Sequence, residues 1–380
     1  MDFTFSEEQL AAAEAARGVF AGVVPDAVPS PALTTGAVAE GFDRELWSRL
    51  ADADLLSLLL DDGYGGAGLD AIALCLVLRE SAHVLARVPL LEHSAAVAAV
   101  QAYGTQELGQ RLLARAGRGE LVLTVAAHGR TGHDPAELAV TARRDGDAWV
   151  LDGVQTAVPW AYDADLVLVP AHVEGATADR SVLALVPLES DGVVLAEQIS
   201  TSGERLAELR LRSARIGAGD VIEADGAGEW LHALLATGTC ALALGLGERV
   251  LRMTSEYTSK REQFGHPIAT FQAVAVQAAD RYIDLRAMEA TLWQAAWRIA
   301  SGAPGPLPAA GDVAVAKIWA AEGVRRVVQT AQHLHGGFGA DTEYVLHRYH
   351  AWAKQVELSL GPAAAYEETL GDLLATHPLS

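Results

Sequence analysis

The feature of this sequence that most constrains its fold is that the hydrophobic periodicity changes twice along the chain. Residues 1–120 and 227–380 repeat apolar residues at helical spacing, whereas residues 121–226 hold short strand-like runs separated by turn residues. Helical and strand-forming segments do not alternate, which argues against a doubly wound α/β fold. The order predicts an α+β protein with three domains, at residues 1–120, 121–226 and 227–380.

Local signals predict individual elements in the first two segments. Ser6 and Gln9 form a capping-box pattern before an Ala-rich helix. Residues 42–60 repeat apolar residues at helical spacing, and Ser94 is a candidate N-cap for a helix over residues 94–103. In the middle segment, several short strands and a hairpin turn at residues 144–147 predict a small β-barrel or sandwich.

The last segment predicts a four-helix bundle. One long helix covers residues 230–260, and Pro267 is suited to the first position of a second helix. A third covers residues 309–334, and a shorter helical end follows a glycine-rich break. The second helix carries a continuous apolar stripe, which is expected to face the core: Ile268, Phe271, Ala275, Ala278, Tyr282, Leu285, Met288 and Leu292.

Charge and composition exclude several classes of function. The formal net charge of −21 argues against binding to nucleic acid or to an anionic membrane surface, although a local basic pocket can still hold an anionic small ligand. No run reaches about 18 unbroken apolar residues, so no transmembrane helix is predicted. Cys75 and Cys240 lie in apolar runs and are expected to be buried free thiols. We expect a cytoplasmic protein.

Two other patterns carry little functional weight. The glycines at residues 63–68 fit a dinucleotide-binding pattern, but no βαβ alternation follows, so a loop between helices is the preferred interpretation. Four histidines cluster near the C-terminus without the spacing of a known metal-ligand set, and no metal site is predicted: His333, His335, His347 and His350.

Arg261 stands at the polar end of the long helix, before a glycine turn. An arginine in this place can bind a phosphate through two parallel hydrogen bonds. It can equally pair with an acidic residue or with the last carbonyl groups of its helix. The residues around it leave both interpretations open.

Taken together, the motifs resemble those of the acyl-CoA dehydrogenase family over nearly the whole chain. The resemblance rests on the Tyr64-Gly65-Gly66 loop, on residues 147–153 of the middle segment, on the His335-Gly336-Gly337 segment, and on a helix-end signature made of Tyr257, Arg261, Phe264, Gly265, Ile268, Phe271 and Gln272. The family binds FAD. A glutamate removes the α-proton of an acyl-CoA, the flavin N5 accepts the β-hydride, and an electron-transfer acceptor is expected downstream.

In this family the flavin is shared between two subunits, and the resemblance is unequal for the two halves of that site. The half donated to a neighbouring subunit is mostly present, with the departure that His333 stands where glutamine is usual: Arg261, Gln263, Phe264, Gln272, His333, Gly336 and Gly337. The chain's own half is largely replaced. Residues 126–132 differ from the family's Thr-Glu-Pro motif, and Pro159, which has no N–H, stands in place of the threonine of its Trp-x-Thr motif.

No catalytic residue is predicted. One family position for the base corresponds to Leu360, and the other corresponds to residues 234–236, which contain no carboxylate. Glu357 is the nearest acidic residue to the first position, and its alternative role is structural. The resemblance to two-subunit members from actinobacterial sterol side-chain degradation extends to the segment from His347 to Leu358.

Three hypotheses follow. In the first, the chain is a base-lacking subunit that supports a homologous partner in an α2β2 dehydrogenase acting on an acyl-CoA. In the second, it is a homo-oligomeric dehydrogenase with a displaced base, for which Glu357 is the first candidate. In the third, the fold is reused as a scaffold without redox chemistry.

Overall fold

The computed structural model of the protein describes residues 4–29, 31, 34–39, 41–134, 137–176 and 180–377. It confirms the predicted order of a helical segment, a β segment and a second helical segment. The predicted domain boundaries stay predictions. The first segment contains five helices: α1 (Glu7–Phe20), α2 (Arg44–Asp52), α3 (Ala71–His83), α4 (Leu90–Tyr103) and α5 (Gln106–Gly117).

Two helix ends in this segment differ from the prediction. Helix α2 ends at Asp52 and not near residue 60, because the chain turns at Asp54, whose φ is +57°. Helix α4 begins at Leu90, directly after Pro89, so Ser94 is buried inside the helix and is not its N-cap. The capping box is confirmed, since Ser6 and Gln9 each accept a hydrogen bond from the other's main-chain N–H.

The glycine-rich segment at residues 62–68 is a turn between helices. Gly65 and Gly68 have φ values of +80° and +62°, and a Cβ at Gly66 would lie 2.0 Å from the main-chain oxygen of Leu60. Tight turning and a close backbone approach therefore explain these glycines without a dinucleotide.

The middle segment forms one mixed sheet of eight strands around its own apolar core. The strand order is β6-β7-β3-β2-β4-β5-β8, and β1 and β2 both pair in parallel with β4. The remaining pairs are antiparallel. The strands are β1 (Leu123–Val125), β2 (Val140–Asp145), β3 (Ala148–Pro159), β4 (Leu166–Val173), β5 (Ser181–Pro187), β6 (Val193–Ile199), β7 (Arg205–Gly217) and β8 (Val221–Ile222).

The last segment is a helical bundle built around α6. It consists of α6 (Ala227–Lys260), the hairpin strands β9 (Glu262–Gln263) and β10 (His266–Pro267), α7 (Gln272–Ser301), α8 (Ala309–His335), α9 (Leu346–Leu358) and α10 (Ala363–Thr376). The prediction that Pro267 starts α7 is wrong. Pro267 lies in the hairpin, and a short 3-10 turn separates it from the helix. Helix α6 contacts α3, α4, α7, α8 and α9.

Helix α6 is long and apolar enough to cross a membrane, but its surroundings identify it as the central helix of the bundle. Of its most apolar 18-residue window, 78% is buried inside the protein. Length and composition alone do not distinguish such a helix from a membrane span.

The apolar stripe predicted on α7 is divided between the core and the surface. Leu285, Met288 and Leu292 are buried, as expected. Phe271, the N-cap residue of the helix, and Tyr282 are instead exposed. The outer face of α7 and the hairpin before it therefore carry five exposed apolar residues: Phe264, Phe271, Val276, Tyr282 and Ile283.

Close packing of α6 against α3 predicts a strong effect of one methyl group. A Cβ at Gly245 would lie 2.1 Å from the main-chain oxygen of Arg79, so Gly245→Ala should destabilise the fold by about 1–3 kcal/mol. Gly371 is exposed in α10 with no atom within 4 Å of its Cβ position, and Gly371→Ala should stabilise by about 0.5–1 kcal/mol. Chemical denaturation measures both, and equal effects would contradict the packing.

Candidate functional site

A two-residue turn between α6 and α7 presents a phenylalanine to the outside. Gln263 pairs with His266 across the hairpin, which leaves Phe264 and Gly265 as the turn. Their φ values are +55° and +79°, a backbone conformation that phenylalanine rarely adopts. Phe264 is 91% exposed, so a strained backbone holds a large apolar ring away from the core. This arrangement is typical of a residue that contacts another molecule.

Arg261 lies beside this turn as an unpaired cation. It follows the last residue of α6, and its main-chain oxygen accepts a hydrogen bond of 2.8 Å from the N–H of Ile268. Its side chain is exposed and has neither a hydrogen bond nor an ion pair with any residue that the structure describes. The structure therefore provides no acidic partner for Arg261, and its charge is free to bind an anion. Gln272, at the start of α7, is also exposed.

The Gly336-Gly337 loop offers an open stretch of backbone. It begins where α8 ends, and Gly336 has a φ of +62°. Both glycines are exposed, and a Cβ at either position would meet no atom within 4 Å. A ligand can therefore approach the main chain here without a side chain in the way. His333 is exposed on the last turn of α8, on the same end of that helix.

A stack of two rings brings this loop and Arg261 to the same end of the bundle. The His335 ring lies parallel to the ring of Tyr257, with centroids 4.3 Å apart. Tyr257 belongs to the last turn of α6 and accepts, through its main-chain oxygen, a hydrogen bond from the N–H of Arg261. His335 is fixed further by the Ala331 oxygen, at 2.7 Å from Nδ1, and by the Tyr344 hydroxyl, at 3.2 Å from Nε2.

This stack also gives His335 a structural role. No group of three or more potential metal ligands occurs within the described ranges. His347 Nδ1 likewise lies 2.8 Å from the main-chain oxygen of Tyr344.

A second site, a cavity of about 690 Å³, lies where α3, α4, the sheet, α6 and α9 meet. The two positions at which the resemblance places a catalytic carboxylate both contribute to its wall. From the segment 234–236 on α6, Leu235 lines the cavity, and Leu360 lines it from the turn between α9 and α10. Because both side chains are buried leucines, neither can accept a proton. The structure therefore brings both base positions to one place and finds no carboxylate at either.

Glu357, the nearest alternative, does not line this cavity. Its carboxylate accepts a hydrogen bond of 3.0 Å from Lys354 Nζ. Its main-chain oxygen and that of Gly361 accept hydrogen bonds from the fully buried Lys317, at 3.2 Å and 3.1 Å. These hydrogen bonds of Lys317 hold the α9–α10 turn, in which Leu360 has a φ of +58°. The Glu357 carboxylate is therefore paired with Lys354 and lies outside the cavity wall.

The end of strand β3 lacks the free main-chain donors that a flavin ring needs. The N–H of Ala157 donates a hydrogen bond of 2.8 Å to the side-chain oxygen of Gln198. Thr156 also exchanges hydrogen bonds with Gln198, at 3.0 Å and 3.2 Å. Pro159 has no N–H. The hydrogen-bonding groups of Thr156 and Ala157 at this edge are thus paired with Gln198 within the protein.

Glu92 is a wall residue that the sequence analysis did not single out. It lies in the first turn of α4 and lines the cavity. Burial raises the pKa of Glu92 to about 7, against smaller opposing effects of the hydrogen bonds that its own main-chain N–H and, at 3.2 Å, Trp160 Nε1 donate to the carboxyl. The available signal was a single carboxylate directly after the apolar pair Leu90-Leu91.

These observations test the fit of FAD to each half. The free charge of Arg261, the open backbone of Gly336 and Gly337 and the exposed Phe264 suit the diphosphate and adenine end of a dinucleotide. The cavity does not suit the flavin ring in the family's manner, because Ala157 and Pro159 offer it no donor. Within one chain, the residues therefore fit one half of a shared flavin site.

Comparisons with known proteins find the same family along the chain. Residues 6–120 match the family described as "Acyl-CoA dehydrogenase, N-terminal domain", and residues 234–372 match "Acyl-CoA dehydrogenase, C-terminal domain". Acyl-CoA dehydrogenase FadE27 of Mycobacterium tuberculosis is 38% identical over 385 aligned positions, which cover 100% of both chains. Acyl-CoA dehydrogenase FadE28 of the same organism is 30% identical and covers 88% of this chain and 94% of its own length.

Two solved structures are similar in both sequence and fold. A chain of the ChsE4-ChsE5 complex from Mycobacterium tuberculosis has a TM-score of 0.88 and 37% identity, with 100% of both chains covered. A chain of a Tcur3481-Tcur3483 steroid ACAD variant has a TM-score of 0.88 and 36% identity, covering 98% of this chain and 99% of its own.

The raised pKa of Glu92 predicts a pH-dependent stability. A carboxyl whose pKa rises on folding from 4.5 to about 7 stabilises the folded state in its protonated form, and this contribution is lost as the pH rises through that interval. Relative to Glu92→Gln, the natural chain should lose up to about 3 kcal/mol of unfolding free energy between pH 4 and pH 8. Denaturant titrations at each pH measure this.

The control for this experiment is Glu107→Gln, because Glu107 is exposed on α5. It should follow the natural chain at every pH. A Glu92→Gln curve parallel to that of the natural chain would contradict the assignment of a buried, protonated carboxyl.

Proposed function

Because the chain belongs to the acyl-CoA dehydrogenase family, whose members are FAD-dependent oxidoreductases acting on CH–CH groups, we propose that it is the supporting subunit of a heteromeric member. In this role it holds part of the FAD of a homologous partner. The partner supplies the base and the contacts to the flavin ring, and the assembly introduces an α,β double bond into an acyl-CoA thioester.

One observation carries the proposal. At both places where the resemblance expects the base, the cavity wall carries a leucine: Leu235, in the segment 234–236, and Leu360. Proton abstraction from an α-carbon needs a basic group within hydrogen-bond reach, and these side chains have none. The elements for contacting a neighbour's cofactor are kept, which a general loss of function does not explain.

The apolar outer face of α7 supports the proposal that a partner chain binds here. Phe264 and Ile283 are 91% and 63% exposed, and Val276 and Tyr282, which lie between them in sequence, are exposed as well. Large apolar residues exposed on one element mark interaction surfaces in folded proteins. This face begins at the turn that carries Phe264, so a partner covering it would come close to Arg261. A homologous chain in an α2β2 assembly is the partner that we propose.

Within such an assembly, the chain's own residues bind and orient. Arg261 neutralises the diphosphate with a charge that no residue in the described part of its own chain pairs with, and the Gly336-Gly337 backbone lets the cofactor approach closely. The Tyr257–His335 stack keeps these two elements at a fixed separation. Bound FAD supplies the hydride acceptor.

The substrate class is proposed from the similar structures. One of them is named a steroid ACAD, and the other is a complex of two named chains. We propose that the acyl group of the substrate carries a steroid, that the reduced cofactor passes its electrons to an electron-transfer protein, and that the assembly works in the cytoplasm.

Removal of the arginine charge tests the proposed role. In the chain co-purified with its homologous partner, Arg261→Gln should weaken FAD binding about 10- to 100-fold, because a charge-assisted hydrogen bond contributes about 1.5–3 kcal/mol. Titration of the apo-assembly with FAD measures the affinity.

The matched control is Arg115→Gln, which removes an exposed arginine from α5 and should leave FAD affinity unchanged. Equal affinity of the Arg261→Gln assembly and the natural one would contradict the proposed contact.

A further inference from the structure

The cavity in this chain remains large although it lacks both a base and free donors for a flavin ring. Its volume of about 690 Å³ lies within the range of roughly 300–1,000 Å³ of sites for small organic molecules. Its lining is largely apolar and comes from packed helices and the sheet, which is typical of such sites. The cavity therefore has the properties of a ligand site, separate from the reaction.

We propose that this cavity binds a neutral, largely apolar molecule with a carbonyl or hydroxyl group, and holds it without converting it. The inference rests on the proposed function in one respect, namely that the cavity holds no flavin of its own. The ligand would be retained by the walls of this chain, whatever its partner does.

The wall of the cavity is apolar over most of its extent. Its apolar members come from α3, α4, β1, α6 and α9, so that packed helices and the sheet fix its shape: Leu78, Val88, Leu90, Leu91, Val125, Leu235, Leu242, Trp352, Val356 and Leu360. Burial of apolar surface is the main source of affinity in such a site.

Three charged residues of the wall are already paired. Glu204 accepts a hydrogen bond of 2.8 Å from Arg87, and Arg205 donates one of 2.7 Å to Glu197. Lys354 is bound to Glu357. An anionic ligand would have to break one of the pairs of Arg205 and Lys354 to be neutralised, because a buried charge without a partner is very unfavourable. The wall therefore favours a neutral molecule over an anion.

Three polar groups of the wall are placed to contact such a molecule. The first is the carboxyl of Glu92, which accepts hydrogen bonds from its own main-chain N–H and, at 3.2 Å, from Trp160 Nε1. His128 Nδ1 and Trp352 Nε1, on two other wall residues, are buried and without a hydrogen bond among the described residues. Buried polar atoms are rarely left unpaired, so these groups point to a ligand with a polar atom.

Protonation agrees with this arrangement. Burial lowers the pKa of His128 to about 4 and raises that of Glu92 to about 7. At neutral pH the imidazole is uncharged. The carboxyl is about half protonated and can donate its proton to a carbonyl oxygen.

Competition between two matched compounds tests the proposal on the assembled protein. N-phenyl-1-naphthylamine, a neutral apolar fluorophore, is the reporter. Its emission is measured after energy transfer from tryptophan, because Trp160 and Trp352 lie in the cavity wall. 2-Acetylnaphthalene and 2-ethylnaphthalene then compete for the site. They have nearly the same shape and differ in one carbonyl group. We expect one reporter site per copy of this chain, and a tighter binding of the ketone by about five- to tenfold.

Substitutions in this chain locate the site. Ala127→Phe and, as a second variant in case the first one fails to fold, Leu91→Phe place a ring in the cavity and should weaken the reporter at least about tenfold. Glu92→Leu should abolish the preference for the ketone while keeping the reporter site. Glu92→Gln should keep the preference, because an amide also donates a hydrogen bond.

The outcomes separate this proposal from the preceding one, because FAD content is measured on the same samples. One FAD per pair of chains, with no reporter site or with a site that neither ring substitution affects, would overturn the ligand proposal alone. Equal affinities for ketone and hydrocarbon would also overturn it. One FAD in each copy of this chain would overturn both proposals.

Discussion

The stacking of His335 on Tyr257 is the contact on which the proposed role depends. Arg261 belongs to the end of one helix, and the Gly336-Gly337 loop to the end of another, distant in sequence. Two rings with centroids 4.3 Å apart tie these ends together, and aromatic pairs of this kind contribute about 0.5–1.5 kcal/mol beyond the area they bury. Together with the packing of α6 on α8, this contact fixes the separation of a charge and an open backbone, which can then serve as one binding surface.

The same bundle forms part of the wall of the second site, the cavity. This site lacks the polar groups that the resemblance predicts for a base and for contacts to a flavin ring. Leu235 and Leu360 take the positions of a base, and Gln198 occupies the N–H of Ala157. The two sites are thus of opposite character. The outer one offers unpaired charge and exposed rings to another molecule, whereas the inner one is a largely apolar cavity without a base at either expected position. A division of labour between two homologous chains accounts for both.

Much of the fold follows from local patterns. The change from helical to strand periodicity predicts the order of the segments, and the Ser6–Gln9 capping box forms as predicted, because each depends on neighbouring residues. Pro267 and Ser94 were misassigned, since each fits a helix start that tertiary packing moved elsewhere. The exposed half of α7 and the role of Glu92 were not predictable, because an apolar or acidic residue does not reveal in sequence whether another element covers it.

The most direct test of the account is the number of FAD molecules per copy of this chain in the purified assembly, measured by flavin absorbance together with the mass in solution. The account predicts a complex of two homologous chains with one FAD per pair, and little or no FAD on this chain alone. A homo-oligomer with one FAD per chain would contradict it, and would require a base elsewhere in the cavity, with Glu92 as the first residue to examine.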